Sequence, residues 1–150
     1  MQSRMKQPVY FYPAALEAFQ SIGKAIDGRV PAATIALVHD RVSQINGCAV
    51  CLEGSLRHGA DKETDARRIT LAAWRDAPFF TAAERAALDL AEHVTRLADR
   101  TDPVPDAVWA EAARHYDEPA LAALLLSIAQ INVWNRLNVA TRQIAGENKW

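Results

Sequence analysis

Two cysteines, Cys48 and Cys51, stand three residues apart, and Ser55 and His58 follow on what reads as the same helix. A thiolate, not a thiol, attacks peroxides and disulfides. An unperturbed cysteine titrates near 8.5 and is mostly protonated at neutral pH. The first turn of a helix offers unpaired N–H groups and the positive end of the macrodipole, and both favour the anion. Residues three apart on a helix are surface neighbours, so the second sulfur can resolve a sulfenic acid or mixed disulfide left on the first. The pair is read as a redox-active dithiol. The rival readings are half of a zinc site and two inert buried cysteines. No second CxxC or HxxxH completes four zinc ligands, and no metal or cofactor is expected.

A base near the sulfurs is the next requirement. Relative to Cys51, Ser55 is offset by about 40° around the helix and His58 by about 20°. All three share a face. His58 is about 10 Å along the axis from Cys51, too far for a direct hydrogen bond, so it would act through Ser55 and water. His39, on the preceding helix, is the other histidine that could fold back toward the thiols. Glu53 points away from the Cys51 face and is expected to be solvated. His93 and His115 sit on other helices, and nothing in their local sequence singles them out.

These residues need helices to hold them. Apolar residues recur at helical spacing through the 150 residues, with no alternating run that argues for a strand. The expected class is all-α, a bundle of about seven helices in one domain. The first helix is expected over Pro13 to Asp27, with Gly28 as its stop. The second begins with Pro31 in its first turn and ends at Asn46-Gly47. The dithiol helix follows, with Asn46 as its N-cap, and runs to about Gly59. A fourth helix follows Asp61 to Thr64 and stops before Pro78. Thr81 and Glu84 form a capping box for the fifth. Asp106 to His115 makes the sixth. The last starts near Glu118-Pro119 and is the most apolar, with Leu121, Leu124, Leu125, Ile128, Ile131, Trp134 and Leu137. A helix apolar on most sides is buried, within the fold or against another subunit.

Composition narrows the function. The formal net charge is −1, and the basic residues are scattered rather than striped, which argues against nucleic acid or an anionic membrane as a partner. The longest apolar candidate, Leu121 to Ile131, falls short of the roughly 18 residues that span a bilayer. The first eight residues carry no signal-peptide h-region, so the expected location is the cytosol, where structural disulfides are rare. A bridge between residues three apart closes so small a loop that it does little to restrict the unfolded chain. Stapling the fold is therefore a poor explanation for the pair.

The run from Arg41 through Ser43, Asn46 and Gly47 to Cys48 and Cys51 resembles the signature of the AhpD-like alkylhydroperoxidase proteins, within the carboxymuconolactone decarboxylase superfamily. Two further stretches are similar to that family: Ala73 to Thr81, with Trp74, Arg75 and Pro78, and Ile131 to Asn138 on the last helix. Together the resemblance spans about residues 31–142. It implies an all-helical homo-oligomer, commonly a trimer or hexamer, with thiol-dependent peroxidase activity. It also implies that Cys51 attacks the hydroperoxide, that Cys48 resolves the product as a disulfide, and that an outside dithiol partner reduces it. The helix dipole favours the more N-terminal thiolate and does not by itself select that order.

The chain departs from the family pattern at two positions. Ser55 stands where the motif usually has a histidine four residues after the second cysteine, and Ala36 where a glutamate often precedes the first cysteine by twelve. A serine is a poor general base without a partner, and losing acid–base help costs on the order of 10²–10⁴ in rate. His58, one turn beyond Ser55, is the candidate for a displaced relay. The alternatives to a peroxidase are a non-enzymatic redox sensor or scaffold member with a degenerate relay and, less favoured, the lactone or decarboxylase chemistry of the superfamily's namesake.

Overall fold

The computed structural model describes residues 1–58 and 65–147. The elements are a 3₁₀ turn at Pro8–Phe11, α1 at Pro13–Ala25, α2 at Ala32–Asn46, α3 at Ala49–His58, α4 at Asp65–Thr70, a second 3₁₀ turn at Leu71–Ala73, α5 at Ala82–Thr95, α6 at Asp106–His115 and α7 at Glu118–Thr141. Among the described residues there is no strand, and the all-α expectation holds.

Helix α2 is the hub. It packs along both α5 and α7, α6 leans on α5, and α3 rests on α2 and α7. The main core joins Val38 and Val42 of α2, Leu90 and Ala91 of α5, and Leu124 and Ile128 of α7. A second cluster gathers Leu37, Leu71, Trp74, Phe80 and Leu88 beside it. Helix α1 buries none of its own residues and lies over α7. Gln130 Nε2 donates to the Phe19 carbonyl, and Phe19 meets Trp134 edge-to-face at 5.6 Å.

The run Leu121–Ile131 is the middle of a longer helix. Helix α7 has 24 residues and by length and composition alone could cross a membrane, yet half of its most apolar window is buried within the fold. Asp117 caps it, its Oδ1 accepting from the Ala120 N–H at 2.9 Å, with Pro119 in the first turn. The capping box at α5 is formed: Thr81 Oγ1 accepts from the Glu84 N–H and the Thr81 N–H donates to Glu84 Oε2.

Three local expectations change. Asn46 is the last residue of α2 rather than the cap of α3, because Gly47 takes the left-handed conformation (φ 67°) that ends α2 first. Pro31 precedes α2 rather than opening it. The fourth helix is a short α4 followed by a 3₁₀ turn before Trp74. Its expected start at Asp61–Thr64, and the expected end of α3 at Gly59, lie outside the described residues.

Candidate functional site

Gly47 sets the dithiol. Its left-handed turn swings the chain out of α2, and the Cys48 N–H still donates back to the Ser43 carbonyl at 2.9 Å. Cys48 therefore sits one residue ahead of α3, in the capping position. Its Sγ accepts from the Cys51 N–H at 3.3 Å, so a sulfur fills the place usually taken by a side-chain oxygen. Cys51 lies in the first turn of α3, with its Cα 5.4 Å from that of Cys48, and the two sulfurs are joined as a disulfide. Cys48 is buried and Cys51 is partly exposed.

Cys51 receives its polar contacts from another helix. Asn135 Nδ2 and Asn138 Nδ2, both on α7, donate to Cys51 Sγ at 3.1 and 3.3 Å. Each amide is held in that orientation by its own oxygen. Asn135 Oδ1 accepts from Asn46 Nδ2 at 2.9 Å, and Asn135 Nδ2 also donates to Ser43 Oγ at 3.0 Å. Asn138 Oδ1 accepts from Gln7 Nε2, a buried amide reached from the first residues of the chain. Asn46 further donates to Asn132 Oδ1. Hydrogen bonds to the charged form of a group favour that form. In the reduced protein, two N–H donors aimed at Cys51 Sγ favour its thiolate. The dipole argument favours Cys48, and this amide pair supplies Cys51 with stabilisation of its own.

Two cavities flank the disulfide. One of about 520 Å³ opens on Cys51 and is walled by Val9, Tyr10, Leu16, Val50, Ile131 and Trp134. Its lining is largely apolar, and the N-terminal 3₁₀ turn and α1 form its outer side. The other, about 370 Å³, lies on the Cys48 side among Gly47, Ala49, Asn138 and Arg142.

The remaining sequence candidates divide. Ser55 is on α3 one turn past Cys51, where its hydroxyl accepts a 3.4 Å hydrogen bond from Arg68. Burial pushes the Asp40 carboxyl above its ordinary value, against the Ser55 and Arg68 contacts. Arg68 lies 3.7 Å from Asp40. His58 ends α3, and its side chain lies outside the described residues. His39 does not turn toward the thiols. Its Nε2 shares a 2.8 Å hydrogen bond with Ser127 Oγ on α7, and burial lowers its pKa to about 4, so the ring is neutral near pH 7. Glu53 ion-pairs with Arg57 one turn along α3. His93 Nδ1 pairs with the Asp89 carbonyl, and His115 lies beside Glu111. Among the described residues no group of three or more His, Cys, Asp or Glu side chains is placed to hold a metal ion.

Sequence reasoning missed the amide cage. A signal for the cage was present: Asn132, Asn135 and Asn138 recur at three-residue steps on a largely apolar helix, where each needs a buried partner. No local signal marks Gln7.

With this geometry, likeness to known proteins becomes informative. The profile of the Carboxymuconolactone decarboxylase family matches residues 13–93, more than half of the chain. YdfG, an uncharacterized protein of Bacillus subtilis strain 168, is 40% identical over 111 residues, covering 71% of this chain and 72% of YdfG. YnjA, an uncharacterized protein of Escherichia coli strain K12, is 33% identical over 107 residues, covering 70% of this chain and 57% of YnjA. Among solved structures, an Agrobacterium tumefaciens protein of unknown function, provisionally named the antioxidant defence protein AhpD, superposes with a TM-score of 0.84 at 26% identity, over 98% of this chain and all of that one. The debrominase Bmp8, in a cysteine-to-alanine variant bound to 2,3,4-tribromopyrrole, shares the fold at a TM-score of 0.75 and 22% identity, over 93% of this chain and 74% of Bmp8. The chain belongs to the carboxymuconolactone decarboxylase family, as an AhpD-like member.

Proposed function

We propose that this protein is a thiol-dependent, peroxidase-like oxidoreductase of antioxidant type that cycles Cys48 and Cys51 between dithiol and disulfide. One observation carries the reading. Cys51 Sγ, bridged to Cys48, receives two fixed amide N–H donors and faces an apolar cavity. The donors favour the nucleophilic thiolate, and the cavity suits the apolar end of an organic hydroperoxide.

In this cycle the Cys51 thiolate attacks the terminal oxygen of the hydroperoxide. The S–O bond forms, the O–O bond breaks, and the alkoxide leaves as the alcohol after taking a proton. Cys51 is oxidised by two electrons to the sulfenic acid. Cys48 then attacks Cys51 Sγ, the S–S bond forms, and hydroxide leaves with the Cys48 proton as water. An external dithiol reduces the disulfide and is itself oxidised to a disulfide. The setting proposed is a cytosolic homo-oligomer, a trimer or hexamer, with a hydroperoxide substrate and a dithiol partner. Because the debrominase shares the fold, the fold alone does not select this chemistry, and the reading rests on the dithiol and its surroundings.

The test is consumption of cumene hydroperoxide with dithiothreitol as reductant, comparing wild type, Cys51→Ser and Cys48→Ser. Loss of turnover in Cys51→Ser, with a dimedone-trappable sulfenic acid in Cys48→Ser, supports the cycle. Equal consumption by all three removes it. A second reading, a redox sensor without sustained turnover, is favoured by Ala36 and Ser55 at the positions where the resemblance expects a glutamate and a histidine. A single stoichiometric oxidation, with no continued consumption under excess reductant, selects the sensor.

A further inference from the structure

The first residues of the chain cross the C-terminal end of α7 and wall the outside of the Cys51 cavity. The Arg4 N–H donates to the Thr141 carbonyl and Arg4 Nη1 to the Ala140 carbonyl, both at 2.9 Å, and Gln143 Nε2 donates to the Met5 carbonyl at 2.8 Å. Beyond these ties Gln7 and Val9 turn inward, 1% and 3% exposed, and Val9 and Tyr10 line the cavity. Phe11 and Tyr12 stay exposed, and α1 after them buries none of its residues. A segment with so few buried contacts opens at low cost.

Gln7 is the weak point of this seat. Its Nε2 donates to Asn138 Oδ1, while its Oε1 is buried without a partner among the described residues. A buried amide that loses its one remaining partner bears the full cost of desolvation. That partner is Asn138, whose Nδ2 donates to Cys51 Sγ at 3.3 Å. The N-terminal segment and the reactive sulfur therefore grip the two ends of a single side-chain amide.

We propose that residues 3–12 form a redox-gated strap, which the Cys51 thiolate holds firmly over the cavity and which opens more often once Cys51 is in the disulfide. The proposal rests on the dithiol–disulfide cycle proposed above and on no particular oxidant. A thiolate is a charged acceptor, and hydrogen bonds to charged groups are about twice as strong as neutral ones. It pins the Asn138 amide and so keeps Oδ1 aimed at Gln7. A disulfide sulfur is neutral and a weak acceptor. The amide then turns more freely, Gln7 loses its partner for part of the time, and the strap lifts. The direction suits the cycle. With the thiolate, a closed apolar cavity holds an organic hydroperoxide and excludes water. With the disulfide, Cys48 is buried, so the dithiol reductant comes in through the Cys51 cavity that the strap walls. The coupling is reciprocal: what tightens the strap on reduction also favours the thiolate.

Amide hydrogen exchange of the full chain reads the strap directly. It is compared between the oxidised protein and the protein reduced with dithiothreitol, both at about pH 9, above the ordinary thiol pKa. The Arg4, Tyr10 and Tyr12 amides, bonded to the Thr141, Gln7 and Val9 carbonyls, are expected to exchange about fivefold more slowly in the reduced protein, with α5 unchanged. Breaking a covalent bridge would by itself loosen its surroundings, so tightening on reduction is a sign that a merely structural role does not give. Asn138→Ala is expected to abolish the difference, with fast exchange in both states. Gln7→Met fills the seat with an apolar side chain and is expected to abolish it with slow exchange in both, and to slow reduction of the disulfide by dithiothreitol. Equal strap exchange in the two states of the wild type, or faster exchange in the reduced one, would overturn the strap while leaving the peroxidase reading intact. A disulfide that dithiothreitol cannot reduce overturns the cycle and the strap with it.

Discussion

Two polar centres are buried in this helical bundle, and they are built on opposite principles. Around Glu92 on α5 every donor but one is a cation. Glu92 Oε1 accepts from Arg41 Nε at 2.6 Å and Trp74 Nε1 at 2.9 Å, and Oε2 accepts from Arg75 at 2.9 Å and Arg96 at 3.1 Å. Burial alone would raise its pKa, but the Trp74, Arg75 and Arg41 contacts outweigh it and bring it down to about 2. Around Cys51 the donors are neutral amides from Asn135 and Asn138. The first centre fixes a charge permanently and ties α2, α5 and the Trp74–Arg75 segment together. The second offers hydrogen bonds to a charge that must appear and vanish with each redox cycle. Thiolate nucleophilicity falls as thiol pKa falls, so a ring of arginines around Cys51 would hold its anion too firmly. Neutral donors give a smaller and more usable stabilisation.

The largest effect should come from breaking the charged centre. Glu92→Gln keeps the shape and removes the charge that three guanidiniums share. Removing one partner of a buried ionic network typically costs on the order of 3–5 kcal/mol. Calorimetric or urea unfolding of the purified variant is expected to show a loss of that size. The Cys51 alkylation rate measured under folding conditions should stay near wild type, because no Glu92 contact reaches the dithiol. A loss under 1 kcal/mol would mean that the network is not the clamp described here.

Acid should break the same centre without a mutation. Glu92 has a folded pKa below its ordinary 4.5, so its contribution is fully present above pH 4.5 and is lost as pH falls toward about 2. A depression of that extent corresponds to about 3 kcal/mol. His39 acts in a higher window. Its folded pKa of about 4 lies below the ordinary 6.5, so the unfolded chain takes up the proton first and stability falls as pH drops from 6.5 toward 4. Stability measured across pH 2–7 should decline in two stages. His39→Gln should flatten the upper stage and Glu92→Gln the lower. A single stage unaffected by either change would contradict both assignments.

How much of this was legible in the chain depends on sequence distance. The helices, the α5 capping box and the short α6 were readable because capping and amphipathic spacing are local. The start of α3 was misplaced because Gly47 both ends α2 and repositions the next cap, and Asn46 looks like a cap while its side chain is spent on α7. The dithiol was readable from spacing. Its surroundings were not, since the amides that donate to Cys51 Sγ come from 84 and 87 residues away, and Gln7 reaches Asn138 across 131.

The smallest and most discriminating effects lie in the amide cage. Asn138→Ala removes one donor from Cys51 Sγ. A hydrogen bond to a charged group contributes about 1.5 kcal/mol at the low end, which would raise the thiol pKa by about one unit. Gln7→Ala leaves the donor in place but frees Asn138 Oδ1, so the amide can turn away for part of the time. Its expected shift is in the same direction and smaller, about half a unit. Both are read from the pH dependence of iodoacetamide alkylation of Cys51 in the Cys48→Ser background. The order of the two shifts matters more than their size. A Gln7→Ala shift equal to that of Asn138→Ala would mean that the amide does no work without its clamp. No shift in Asn138→Ala would mean that the thiolate draws its stabilisation from Asn135 and the helix start alone, and the contrast with Glu92 would narrow to one donor.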